Sequence, residues 1–369
     1  MKWSNYRLPF LILFCWLAVA PVLWNTGTNI VTHTYARAAL QFWAGQDPYS
    51  QAVGHGDAFK YSPLFAALYG LFAWQPDRFQ ALTWAFTNAA VFWWGMFQWV
   101  SWRRRLVWIA VALCALELDI SLRYQQVNAL MVGSVLFGLA AARDGQWTTS
   151  ATILAWITNI KILPGFFAAA VGIPWKPRYW WRLVLASSVF LLLPGLWLGW
   201  SANLRAHASW FELLFADMST PGLLDVRTLL SYWNCPFAGE VARWFVLVVS
   251  LATLAKLRFA KKTDWPLLYT VGATGLLLFS PRTESPTFVL FAPIYLFLFE
   301  KAQNAKKGTR VYAWTGVAIV SFAVTFSFSD AWPKSVWDPR AFGFFSKTLG
   351  ALAVWIWGVA YAFRQSSRV

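Results

Sequence analysis

Charge is what this chain has least of. Charged residues fill 12% of its 369 positions, against about 25% in an ordinary soluble domain. Hydrophobic residues make up 59%, so too little polar surface is available to clothe a water-soluble globule of this length. Cysteine is also scarce. Cys15, Cys114 and Cys235 are three, an odd number, and no disulfide or metal framework follows from them. His33, His55 and His207 are the only histidines, and they do not form a ligand spacing. There is no nucleotide-binding glycine loop, no HExxH and no GxSxG, which removes the familiar soluble-enzyme classes. No repeat with a period of roughly 20–50 residues and no low-complexity tract is visible.

Long apolar runs are what the chain does have. Leu8–Trp24, Val127–Ala142 and Val311–Phe328 are long enough, or nearly so, to cross a hydrocarbon core of about 30 Å. Leu8–Trp24 lacks a small-residue cleavage site after it and reads as an uncleaved first helix. Further crossings are expected near 79–101, 106–121, 127–142, 148–160, 163–175, 180–200, 241–258, 265–280, 287–300, 311–328 and 346–363. The expected fold class is therefore all-α and integral to the membrane: one polytopic domain, 1–369, of about twelve transmembrane helices.

The net charge of +16 invites a nucleic-acid reading, but its distribution argues against one. With both termini cytoplasmic, the inner segments hold Lys2 and Arg7, Arg103–Arg105, Arg143, Lys176, Arg178 and Arg182, the 256–262 cluster, the 301–310 cluster, Arg364 and Arg368. Only Asp144, Asp264 and Glu300 of the 15 acids fall on that side. The whole net charge is a positive-inside signal. Many of the 27 tryptophans flank helix ends, as interfacial anchors do.

Three outer loops are longer than turns require: 25–78, 201–240 and 329–347. In the first, Thr34–Ala44 reads as a short helix ended by Gly45. Ser62-Pro63 then supplies an N-cap and a first-turn proline for a helix over Leu64–Trp74. Eleven residues cannot span a bilayer, so this helix is expected on the outer leaflet. The stretch "NIKILP", 159–164, breaks an apolar run with a cation and a helix breaker. Flanking basic residues at Arg143 and Lys176 place both ends of that run inside, so Lys161 and Pro164 form the tip of a hairpin. Broken backbone and an ionisable residue at membrane depth point to function. Arg123 and Arg282 approach the same level in this topology. Such a cationic group suits a lipid phosphate.

"GQDPY" with Asp47 and Tyr49, "YSPL" beginning at Tyr61, Trp84 with Asn88, "QQVN" with Gln126 and Asn128, "KILP" at Lys161–Pro164 and the "SPRTESP" turn with Arg282 and Glu284 follow one another along the chain. In that order they resemble glycosyltransferase family 87, GT-C proteins that depend on polyprenyl-phosphate sugars. The resemblance implies a GT-C-like bundle with short amphipathic outer-leaflet helices. The implied enzyme is an inverting hexosyltransferase of the cell (inner or plasma) membrane, with its site facing outward. It would move a sugar, mannose by resemblance, from a polyprenyl phosphate to a lipid, glycan or protein acceptor, with no cofactor or metal implied. Lys161, Arg282 and Arg123 would hold the donor phosphate, and Tyr49, Tyr61, Gln126 and Asn128 would line the sugar pocket.

One departure stands out. Where the family carries an acid just after the first helix, this chain has Asn29, Thr32 and His33, with no acid before Asp47. The base is then expected at Asp47, Glu284 or His33, with Asn29 or His33 positioning the acceptor. The competing readings are a lipid or solute transporter and an inactive family member. A transporter built from repeats shows broken helices in both halves, and only one such hairpin is seen.

Overall fold

The computed structural model describes residues 30–49, 58–99, 107–174, 176–219, 224–280, 283–326 and 345–365, together with Cys15, Trp16 and Val19. Helices, joined by turns and short irregular segments, make up the described residues, and no strand occurs among them. The first expected crossing, Leu8–Trp24, lies almost wholly outside them.

The chain gathers into two compact units, one of Met1–Trp99 with Ser121–Ser219, the other of Val100–Ile120 with Thr220–Val369. The first helices are α1 (Ile30–Trp43), α2 (Pro63–Ala73) and α3 (Asp77–Trp99). Next comes α4 (Val107–Arg123), whose last residues pass from the second unit into the first. The first unit continues with α5 (Asn128–Arg143), α6 (Trp147–Ile160), α7 (Gly165–Gly172), α8 (Pro177–Leu192), α9 (Gly195–Leu198) and α10 (Trp200–Ser219).

Local chemistry explains the boundaries. Tyr35, Ala38, Ala39 and Phe42 form the buried face of α1, as the spacing predicts. Gly45 ends the helix at φ 73°, with its amide on Phe42 O at 3.0 Å and the Gln46 amide on Gln41 O at 2.9 Å. This is a Schellman termination, and it needs a residue without Cβ. Ser62 caps α2 by accepting from the Phe65 amide at 3.3 Å, with Pro63 in the first turn. The rings of Phe59, Tyr61, Phe65, Tyr69 and Trp84 surround Tyr35 edge-on, with centroids no more than 6.4 Å from it. Edge-to-face pairs of this kind add to the hydrophobic gain and pin α1, α2 and α3 together.

Helices α3 and α5 meet backbone to backbone. A Cβ on Gly95 would collide with Gly133 O, and one on Gly133 would collide with Val91 O. Small residues let membrane helices approach in this way. Across the seam, Asn88 Oδ1 accepts from the Leu130 amide at 3.1 Å. α5 is buried on nearly every side. α8, by contrast, buries only Tyr179.

The second unit contains α11 (Val226–Tyr232), α12 (Pro236–Phe259), α13 (Trp265–Phe279), a 3-10 helix (Ser285–Phe291), α14 (Ala292–Gln303), α15 (Arg310–Ser321), a π turn (Phe322–Phe326) and α16 (Ser346–Gln365). α13 is its all-round buried helix.

Most expected crossings coincide with helices to within a few residues. The crossing expected over 287–300 begins as a 3-10 helix, and the one over 311–328 turns into π geometry at Phe322. By length and hydropathy, two described stretches suffice to cross a membrane, Pro177–Leu198 and Pro236–Phe259. Asn128–Arg143, Trp265–Phe279 and Arg310–Thr325 are apolar but shorter. The segment 201–240, expected as the second outer loop, holds most of α10 and all of α11.

Candidate functional site

The break at 161–164 is real and local. α6 ends where Lys161 turns extended at φ −140°, ψ 127°. Its amide still closes the last turn on Ile157 O at 3.0 Å, and the next turn is carried by Gly165 N on Ile162 O at 2.9 Å. The Lys161 ammonium donates to Asn128 Oδ1 at 2.7 Å. Asn128 is fully buried and is the first residue of α5. Its amide nitrogen donates to Gln126 Oε1 at 2.6 Å, so both ends of this side chain are engaged and its orientation is set. Lys161 Nζ also lies 5.9 Å from the centroid of the Tyr61 ring, within the range of a cation–π contact.

The segment Phe59–Ser62 ties this cation to the first loop. Ser62 N donates to Ile160 O at 3.4 Å, which sets α2 against the end of α6. The Tyr61 hydroxyl accepts from Tyr35 OH at 2.8 Å, and Tyr61 O accepts from Tyr49 OH at 2.6 Å. Burial pushes the Tyr49 phenol well above its ordinary pKa, so it stays a donor. Tyr49 N donates in turn to Asp47 Oδ1 at 3.0 Å. Of the residues expected at the site, Asp47, Tyr49, Tyr61, Gln126, Asn128 and Lys161 are thus joined by one run of contacts. The Trp84–Asn88 pair supports it from behind: Trp84 Nε1 donates to Gln125 O at 2.7 Å, holding Gln125 in the left-handed region at φ 50°.

Other expected residues stand apart from that run. His33 is exposed on α1 and, with Arg37 and Gln41, lines a shallow groove of about 590 Å³ that also reaches Gln46. Arg123 is exposed at the end of α4. Glu284 belongs to the second unit, where it opens the 3-10 helix: its amide donates to Thr287 Oγ1 at 3.4 Å, and its carbonyl accepts from the Thr287 amide at 2.9 Å. Asn29 and Arg282 lie outside the described residues. Among the described residues, no group of three or more His, Cys, Asp or Glu side chains stands together.

Two features escaped the sequence. The first is a cavity of about 350 Å³ between the "GQD" turn and α10, lined by Asp47, Arg205, Ser209 and Glu212 among others. The spacing of 205, 209 and 212 on one helical face was the available signal. The second is a buried ion pair in the second unit. Lys347 Nζ lies 3.1 Å and 3.3 Å from the two carboxylate oxygens of Glu117, and both side chains are 0% exposed. Tyr295 OH and Thr325 Oγ1, 2.6 Å apart, belong to the same region, and Thr325 bonds Glu117. Two hundred and thirty residues separate the ion-paired groups, so no spacing rule could have joined them.

Comparison with known proteins adds to this geometry. The family model described as "Glycosyltransferase family 87" matches residues 59–281, the stretch that runs from Phe59 through Lys161 to the start of the "SPRTESP" turn. The chain is also similar to the polyprenol-phosphate-mannose-dependent alpha-(1-2)-phosphatidylinositol pentamannoside mannosyltransferase of Mycolicibacterium smegmatis, with 24% identity over 249 residues. That alignment covers 64% of this chain and 58% of the relative, so the chain spans little more than half the length of the relative that it matches.

Proposed function

The chain belongs to glycosyltransferase family 87, and on that premise we propose that it transfers a hexose, mannose in the first instance, from a polyprenyl monophosphate to a glycolipid acceptor at the outer face of the cell membrane. It works as one polytopic domain with both termini in the cytoplasm. The observation that carries the reading is Lys161: a cation at a helix break, fixed by Asn128 and set over Tyr61. Preorganised positive charge of this kind stabilises the phosphate as it leaves. The named activity of the M. smegmatis relative supports the donor class.

In the proposed step, the acceptor oxygen bonds to the sugar C1 as the bond from C1 to the phosphate oxygen breaks. The electron pair stays on the phosphate. The acceptor proton passes to a carboxylate acting as general base, and attack opposite the leaving group inverts C1. We assign the base to Asp47, whose Oδ1 is already oriented by the Tyr49 amide. Tyr49, Tyr61, Gln126 and Asn128 surround the sugar, and Arg123 assists the phosphate.

The test uses purified protein in lipid nanodiscs with radiolabelled polyprenyl-phosphate mannose and a mannosylated phosphatidylinositol. Wild type transfers label to the acceptor, whereas Lys161→Ala loses donor binding and Asp47→Asn keeps binding without turnover. Absence of donor binding by the wild type overturns the reading.

A further inference from the structure

α10 carries three stripes of different chemistry. Asn203, Ala206 and Trp210 are buried, and Trp210 Nε1 donates to Lys60 O at 3.0 Å, which anchors the helix to the segment that bears Tyr61. Leu204, Phe211 and Phe215 form a second stripe, exposed at 68%, 40% and 71%. Arg205, Ser209 and Glu212 form the third, and they face the "GQD" turn across the cavity of about 350 Å³. That volume falls in the range of about 300–1,000 Å³ typical of small-molecule sites.

From this arrangement we propose that the cavity binds the saccharide head of a lipid-linked acceptor. The inference rests on the transferase reading above and adds the acceptor site, with Arg205 and Glu212 as its recognition residues. Carboxylates at Asp47 and Glu212 accept from vicinal sugar hydroxyls, and the Arg205 guanidinium donates to ring and hydroxyl oxygens. Small residues in the lining, Gly45, Ala202 and Ala206, let one face of a sugar ring approach the backbone. The exposed apolar stripe beside the cavity argues for an amphiphile, with its polar head among the charged residues and its alkyl chain along Leu204, Phe211 and Phe215. The occupant's hydroxyl then meets Asp47, the group assigned as base.

Wild-type protein in nanodiscs is titrated separately with octyl α-mannoside, methyl α-mannoside and a polyprenyl phosphate, followed by tryptophan fluorescence. The same titrations are run on Arg205→Ala, Glu212→Gln and Lys161→Ala. Octyl mannoside binds the wild type more tightly than methyl mannoside, and each of the first two variants weakens it about tenfold, as expected for one lost charge-assisted hydrogen bond. Polyprenyl phosphate binding is unchanged in those two variants and falls in Lys161→Ala. Octyl mannoside binding that is absent in the wild type, or equal in wild type, Arg205→Ala and Glu212→Gln, overturns the acceptor site. Loss of polyprenyl phosphate binding in Arg205→Ala gives the cavity to the donor and also overturns it. Polyprenyl phosphate that binds neither wild type nor variants defeats the transferase reading separately, because the mannoside titrations do not depend on turnover.

Discussion

Lys161 Nζ and Asn128 Oδ1 stand 2.7 Å apart although 33 residues separate them in the chain. The bond joins the end of one helix to the start of another. It also turns a flexible lysine into a directed charge, because the far side of the Asn128 amide is itself held by Gln126.

Removing that charge is expected to cost turnover more than folding. Lys161→Ala lowers transfer by roughly 100-fold or more, the scale of losing one preorganised charge-stabilising donor, and lowers stability by about 1–3 kcal/mol because the buried Asn128 Oδ1 loses its donor. Asn128→Leu keeps the ammonium but frees its direction, so its loss of transfer is smaller. Parallel rate and thermal measurements on the two variants check both statements.

The glycine seam predicts a steric failure. Gly133→Ala places a Cβ against Val91 O, a backbone atom that cannot rotate away. The helices must separate, at about 1–3 kcal/mol or more, read as a lowered denaturation midpoint. Gly316→Ala in α15 serves as control: its added Cβ meets nothing within 4 Å, and the substitution leaves stability unchanged or slightly raised.

The buried pair of Glu117 and Lys347 predicts strong coupling. Glu117→Leu or Lys347→Met alone strands a charge at a fully buried position and costs about 3–5 kcal/mol. The double replacement recovers most of that loss, since apolar groups of similar volume need no partner there. A double-mutant cycle by chemical denaturation measures the coupling, and additive single effects would refute it.

His207 predicts a pH dependence of stability. Its Nδ1 lies 2.9 Å from Asn203 O, Nε2 has no hydrogen-bond partner, and burial pushes the imidazole pKa below its ordinary 6.5. The folded state therefore resists protonation that the unfolded state accepts. The contribution is fully present above about pH 6.5 and is lost as pH falls from there through the depressed folded value. In His207→Gln this part of the pH–stability profile flattens, which thermal melts across pH 5–8 (roughly the range of an ordinary histidine) would reveal.

Local chemistry made much of this legible in the sequence. Ser62 and Pro63 announced α2, Gly45 announced the end of α1, and the hairpin tip at Lys161 followed from charge flanks and a proline. The contacts joining Asp47, Tyr49, Tyr61, Asn128 and Lys161 fell among residues already singled out by order along the chain. What stayed hidden was of two kinds. α10 mixes three faces on one helix, so its average hydropathy marks neither a crossing nor a core helix, and Arg205 and Glu212 went unnoticed within it. Glu117 and Lys347 are joined only by tertiary packing, and nothing near either residue in the chain points to the other.

The direct backbone approach of Gly95 to Gly133 has a consequence beyond stability. No side chain lies between α3 and α5 at that point, so the seam has no compressible layer. Asn88 fixes the register by binding the Leu130 amide, two residues beyond the asparagine that directs Lys161. The dipoles around the cation are therefore oriented during folding rather than when an anion arrives. On the proposed donor reading, little of the binding energy needs to be diverted into rearranging the receptor.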